Sequence, residues 1–124
     1  MMNRISAGTD IIEVGRIRKS CDSRRFCERV FSRQEREMFA LKKGPWQSMA
    51  GNWAAKEAFA KALGTGVSGF ALSEVSCLRD DRGCPYLKVS GEALRIVEQK
   101  GVQASVSISH TKEYATAVVI LFGE

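Results

Sequence analysis

A single histidine, two prolines and four cysteines with no Cys-x-x-Cys pair mark what this 124-residue chain has least of. Cys21, Cys27, Cys77 and Cys84 all lie far in sequence from His110, which speaks against a zinc site built from cysteine and histidine. They read as reduced thiols, Cys77 in a strand and Cys84 beside a turn. Long apolar runs are missing as well. The longest, Ala117 to Phe122, is far short of the ~20 residues a membrane-spanning helix needs. The N-terminal MMNRIS carries no apolar leader core, so a soluble, cytoplasmic protein is expected. No G-x-x-x-x-G-K-[ST] occurs either. Gly64, Gly66 and Gly69 follow a predicted helix instead of preceding one, the wrong polarity for a phosphate-binding P-loop, and read as a C-cap and turn.

What remains is a chain with 44% hydrophobic and 27% charged residues, the composition of one globular domain over residues 1–124. A chain of this length buries about two thirds of its unfolded surface. The net charge of +5 is unevenly placed: between Arg16 and Glu37 there are eight Lys or Arg against four Asp or Glu. That segment implies an anionic partner, such as nucleic acid, a membrane face, a phosphorylated ligand or an acidic protein, unless it is only a solvated helix face.

The strongest helix signal runs from Pro45 to Gly64, PWQSMAGNWAAKEAFAKALG. Pro45 suits a first turn, alanine dominates the interior, and Gly64 is placed for a left-handed cap. At about 100° per residue, Ala50, Ala54, Ala58 and Ala62 form one row, with Glu57 and Lys61 inside or beside it and Trp53 flanking. Phe59 and Leu63 fall on another side with Asn52 and Lys56. A helix apolar on nearly every face belongs in a core. Glu57 and Lys61 are then either an ordinary i,i+4 pair or charges facing a cavity. On the ordinary-pair reading, Lys56 can equally reach the surface along its stem.

Around this helix the chain reads as mixed. Arg4 to Thr9 forms a short strand. Asp10 to Glu13 opens a helix carrying Ile12, Val14 and Ile17, with Asp10 as N-cap and Glu13 completing a D-x-x-E capping box. The alternative for Asp10 is metal ligation, because a carboxylate at such a junction has a free oxygen for a hard cation. Arg24 to Val30 is helical, and Ser32 to Glu35 is a capping box for a helix through Leu41. Leu72 to Arg79 and Pro85 to Val89 make a hairpin around Asp80 to Gly83, and Ser90 caps a helix that ends at Gly101. Ala104 to Ser109 and Tyr114 to Phe122 are the last strands, with His110 at the hairpin tip or strand end. His110 is either a hydrogen-bonded structural residue or a phosphate or proton-transfer group.

Three motifs, G-T-D-I-I-E-V-G-R from Gly8 to Arg16, W-A-A-K-E-A-F-A-K-A from Trp53 to Ala62 and S-I-S-H from Ser107 to His110, occur in this order. Together with G-T-G at Gly64 to Gly66 and G-x-P-Y at Gly83 to Tyr86, they closely resemble the holo-acyl-carrier-protein synthases, the small bacterial class of phosphopantetheinyl transferases. The resemblance implies an α+β fold with an antiparallel sheet wrapped around and beside a central buried helix at about residues 45–63. It implies transfer of phosphopantetheine from coenzyme A to a serine of an apo carrier protein, a step that serves fatty acid biosynthesis, with release of adenosine 3′,5′-bisphosphate. Mg²⁺ is the implied ion, with Mn²⁺ as the alternative, held by Asp10 and Glu57. Lys61, Gly64, His110 and Thr111 are implied at the coenzyme. Asp10, Glu57, Lys61 and His110 make up the catalytic set, and the serine proton goes to Glu57, to water on the metal or to His110. Arg16, Arg24 and Arg25 are implied to dock an acidic acyl carrier protein, and a homotrimer with active sites between subunits is expected.

Two positions depart from the family pattern. Asn52 stands where relatives often carry arginine, which is expected to remove a cation from the coenzyme site or its border, and Thr111 stands where some carry aspartate. A nucleic-acid-binding module is the competing reading of the basic segment. It needs aromatics interleaved with the cations, and only Phe26 and Phe31 lie there, both suited to a helix core. No nucleic acid and no membrane partner is expected. An inactive homologue that keeps the fold is the third reading, with Asn52 its one hint.

Overall fold

The computed structural model describes residues 4–123. The first three residues of the N-terminal stretch read above for a leader lie outside them. The elements in order are β1 (Arg4–Glu13), α1 (Val14–Ser20), α2 (Arg24–Val30), α3 (Arg33–Ala40), α4 (Trp46–Leu63), a 3-10 turn (Leu72–Glu74), β2 (Val75–Arg79), β3 (Pro85–Val89), α5 (Gly91–Lys100), β4 (Gln103–His110) and β5 (Tyr114–Gly123). The expected α+β fold is present. Its strands form two antiparallel sheets, β1-β5-β4 and the hairpin β2-β3, with α4 packed against members of both.

Helix α4 is the centre of the molecule because its sequence leaves almost no polar face. Ala50, Ala54, Ala55, Ala58, Phe59 and Ala60 are all at most 1% exposed. Gly64 ends the helix at φ 81°, as expected of its left-handed cap. Pro45 sits one residue outside the helix as its N-cap. Apolar side chains from α4, β2 and β5 form one core, and α1, α2 and α3 close a second around Ile17, Phe31, Phe39 and Met49.

Alternation along β4 and β5 divides the larger sheet into two faces. Ala115, Ala117, Val119 and Leu121 face α4 and are buried. The opposite face carries Ile5, Ile11 and Phe122, which are 74%, 66% and 38% exposed. At Gly8 the strand lies directly on the backbone of α4, since a side chain there would overlap the Ala58 carbonyl oxygen.

Three boundaries differ from expectation. β1 continues through Asp10 to Glu13, in register with Ala117 to Tyr114 of β5, so Asp10 is a strand residue and not an N-cap. Ladder hydrogen bonds to β5, reinforced by β-branched Ile11 and Ile12, outweigh the local capping pattern. Helix α1 starts only at Val14, whose N–H donates to Glu113 O at 2.8 Å, and its N-cap Glu13 makes no side-chain cap bond. The strand expected from Leu72 begins at Val75, after a 3-10 turn in which Glu74 accepts from the Ala71 N–H. The Ser32–Glu35 capping box forms with both bonds in place.

Candidate active site

Asp10 and Lys61 meet because β1 and α4 pack with glycine between them. Lys61 Nζ donates to Asp10 Oδ1 at 3.2 Å and to the Thr9 carbonyl at 2.9 Å. The Asp10 side chain is 17% exposed and that of Lys61 55%. Glu57, one helical turn before Lys61, completes the group. Its carboxyl is pushed above the ordinary carboxylate range, first by burial and then by the negative charge of Asp10, against the pull of Lys61. Two carboxylates and one ammonium, expected from two separate motifs, are therefore gathered at one half-open place.

Among the described residues no group of three or more His, Cys, Asp and Glu side chains is arranged to hold a metal. Mg²⁺ commonly binds one or two carboxylates and takes its other ligands from water and substrate phosphates. Asp10 and Glu57, each raising the cost of charge on the other, fit a donor set of that kind, and a divalent cation there would relieve their repulsion.

His110 does not join this group within one chain. It pairs with Ala115 at the end of β4, with β5 standing between β4 and β1. Two strand spacings, about 10 Å, therefore separate it from the Asp10 strand. Thr111 begins the β4–β5 connection, where its Oγ1 accepts from the Glu113 and Tyr114 N–H groups and its carbonyl accepts from Gln47 Nε2. Beside it opens a cleft of about 510 Å³ lined by Glu13, Arg18, Trp46, Gln47, Lys112 and Tyr114. Arg18 lies 5.0 Å from the Trp46 ring centroid. Gly64 is at the other end of α4, exposed and spent as its cap. Arg16, Arg24 and Arg25 are all exposed, the first on α1 and the other two on α2.

The 4′-phosphopantetheinyl transferase superfamily matches residues 6–119. The chain belongs to this family. It is 42% identical over 121 residues to the holo-[acyl-carrier-protein] synthase of Caldanaerobacter subterraneus subsp. tengcongensis, covering 96% of this chain and 95% of that relative. Among solved structures it is similar to a holo-(acyl-carrier-protein) synthase from Bacillus anthracis str. Ames in complex with CoA (3′,5′-ADP). That match has a TM-score of 0.82 and 37% identity, with 96% of each chain covered. A Chronobacterium ammoniagenes ACPS-CoA complex matches with a TM-score of 0.85 at 28% identity, with 98% of each chain covered. The resemblance carried by the three motifs is borne out at the level of family and fold.

The core of α4 places two of its polar residues differently from a reading of the helix alone. Lys56 does not reach the surface. It is fully buried, with Nζ 2.6 Å from Glu35 Oε1 and 2.9 Å from the Leu72 carbonyl, and it donates to the Val75 carbonyl as well. Asn52 does not border the Asp10–Lys61 group. It is also fully buried, donating to Glu35 Oε2 and the Cys77 carbonyl, each at 2.9 Å, and accepting from Arg79 at 3.0 Å. Asn52 is therefore part of an internal network and lies apart from the half-open group. Sequence reasoning missed Glu35 as a partner because the capping box already accounted for it. The available signal was Lys56 itself, a charge on a helix apolar all round that requires a buried counter-charge.

Phe26 and Phe31 answer the competing reading. Phe31 is 0% exposed, and Phe26 stacks on Trp53 with centroids 5.9 Å apart. Both aromatics of the basic segment pack against the second core, as expected of a helix core.

Proposed function

We propose that this chain transfers 4′-phosphopantetheine from coenzyme A to a serine hydroxyl of an apo acyl carrier protein in an Mg²⁺-dependent reaction, releasing adenosine 3′,5′-bisphosphate in the cytoplasm. The observation that carries the reading is the convergence of Asp10, Glu57 and Lys61, with Lys61 Nζ 3.2 Å from Asp10 Oδ1, in a member of this superfamily. The serine oxygen forms a bond to the β-phosphorus of coenzyme A as the phosphoanhydride bond breaks, and the serine proton leaves to a base. Asp10 and Glu57 hold the divalent ion, Mg²⁺ or alternatively Mn²⁺. Such an ion supplies neutralisation of the charge that grows on the leaving phosphate oxygen. Lys61 adds a mobile cation to the same phosphates.

His110 and Thr111 contact the coenzyme from a neighbouring copy. The exposed apolar sheet face bearing Ile5, Ile11 and Phe122 supports assembly of the chain as a homotrimer with shared sites. Arg16, Arg24 and Arg25 steer the acidic carrier to the site.

The test is intact-mass spectrometry of an apo acyl carrier protein incubated with this protein, coenzyme A and Mg²⁺, beside a chelated control. A metal-dependent gain of one phosphopantetheine is the expected result. A carrier of unchanged mass under both conditions would refute the reading.

A further inference from the structure

The reaction proposed above uses Glu57 but leaves unexplained its sequence neighbour Lys56 and the buried Glu35. A fully buried ion pair is weak evidence for stability, since desolvation offsets much of its attraction, and replacing such pairs by apolar side chains is often neutral or stabilising. Its geometry suggests what it does instead. The two oxygens of Glu35 grip successive turns of α4: Oε1 accepts from Lys56 Nζ at 2.6 Å and Oε2 from Asn52 Nδ2 at 2.9 Å. The same carboxylate accepts from the Cys77 N–H at 3.2 Å and the Ser32 N–H at 2.9 Å, which anchors it to β2 and to the start of α3. Lys56 extends the grip to the Leu72 and Val75 carbonyls. No buried side-chain N or O among the described residues lacks a partner.

On its other side α4 meets Gly8 of β1 and Ala115, Ala117, Val119 and Leu121 of β5, an apolar face that fixes how close the helix lies but gives it no directional bond like those of Glu35 and Lys56. Rotation decides where Glu57 points. With side-chain ends ~5–6 Å from the helix axis, a turn of about 10° moves a carboxylate by about 1 Å. A misplacement of that size is enough to slow a catalysed step by on the order of 10²-fold.

We infer that Glu35 and Lys56 are positioning residues that lock the rotation of α4 and so hold Glu57 against Asp10. This inference rests on the transfer reading for its activity measurement but not for its binding measurement.

The experiment compares the full-length chain with its Glu35→Leu/Lys56→Met double variant, in which both charges go together and Asn52 keeps Cys77 O and Arg79 as partners. Three quantities are read: the thermal melt, Mn²⁺ affinity by electron paramagnetic resonance with coenzyme A present, and the split between kcat and KM in carrier modification. The expected result is a cooperative melt, lowered by the loss of the Glu35 bonds to the Ser32 and Cys77 N–H groups, and, well below that melt, about tenfold weaker Mn²⁺ binding and about 100-fold lower kcat with KM for the carrier unchanged. A folded double variant with wild-type Mn²⁺ affinity and kcat would reduce the pair to packing and overturn the inference. Should the double variant not fold, Glu35→Gln is judged by the same criterion, because it removes one charge while keeping an acceptor for Lys56. If the wild type binds Mn²⁺ but modifies no carrier, the transfer reading fails. The Mn²⁺ comparison then decides alone, a tenfold loss supporting the lock and equal affinity overturning it.

Discussion

Replacing Gly8 by alanine tests the contact on which the site is built. A Cβ at Gly8 would overlap the Ala58 carbonyl oxygen and come within 2.6 Å of Ala62 N and 2.9 Å of Lys61 Cβ. These are mainly backbone atoms inside a helix and cannot swing aside. Carbon–oxygen contacts settle near ~3.3 Å, so β1 and α4 must separate by about 1 Å. Overpacking of this kind destabilises by about 3 kcal/mol, which in a domain of this size lowers Tm by roughly 10 °C. Asp10 lies two residues along the same strand face, so the separation also draws it from Lys61 and Glu57. Transfer should fall on the order of 10²-fold even well below the lowered Tm. The assay is a circular-dichroism melt paired with mass-spectrometric measurement of carrier modification. Gly15→Ala is the control: nothing lies within 4 Å of a Cβ there, and in α1 the change should stabilise by up to ~1 kcal/mol. A Gly8→Ala protein melting within about 2 °C of wild type at full activity would refute direct contact between β1 and the α4 backbone.

Two further substitutions separate the proposed metal pair from the proposed docking surface. Glu57→Gln preserves size and should leave the melt unchanged while lowering metal-dependent transfer at least ~100-fold; unaltered transfer would remove Glu57 from the metal site. Arg16→Ala should raise KM for the carrier protein several-fold and leave KM for coenzyme A unchanged, with a difference that shrinks as salt rises. Equal effects on the two substrates would place Arg16 outside the carrier surface.

The central helix was legible because its evidence is local: an alanine-rich run, a proline before it and a glycine in the left-handed region after it. Asp10 was recognised as a candidate ligand yet assigned to the wrong element. Its surroundings Asp10 to Glu13 satisfy a helix-start pattern, and the β5 partner that makes them a strand lies about a hundred residues away. Long-range pairing of that sort leaves no mark on the segment itself. The same limit hid the Glu35–Lys56 pair, whose members are 21 residues apart. His110 was placed correctly at a strand end, but only the strand order β1-β5-β4 shows that it stands apart from Asp10 within one chain.

The buried pair also changes the electrostatics of the basic segment. Counted along the sequence, Arg16 to Glu37 has eight cations and four carboxylates. Glu35, however, is 0% exposed and neutralised by Lys56 from another helix. The surface of this segment therefore sets the eight cations against only three carboxylates, Asp22, Glu28 and Glu37. Of these, Glu28 and Glu37 are paired with arginines at the surface, at 3.5 Å from Arg24 and 3.2 Å from Arg33. Exposed pairs of this kind are screened and weak, so they do little to stop the cations from acting together at a distance. An acidic partner approaching this face meets a more positive field than the sequence count suggests. Because α3 supplies both Glu35 and part of that face, one segment would, on the proposed readings, serve the rotation of α4 from its buried side and the approach of an acidic partner from its exposed side.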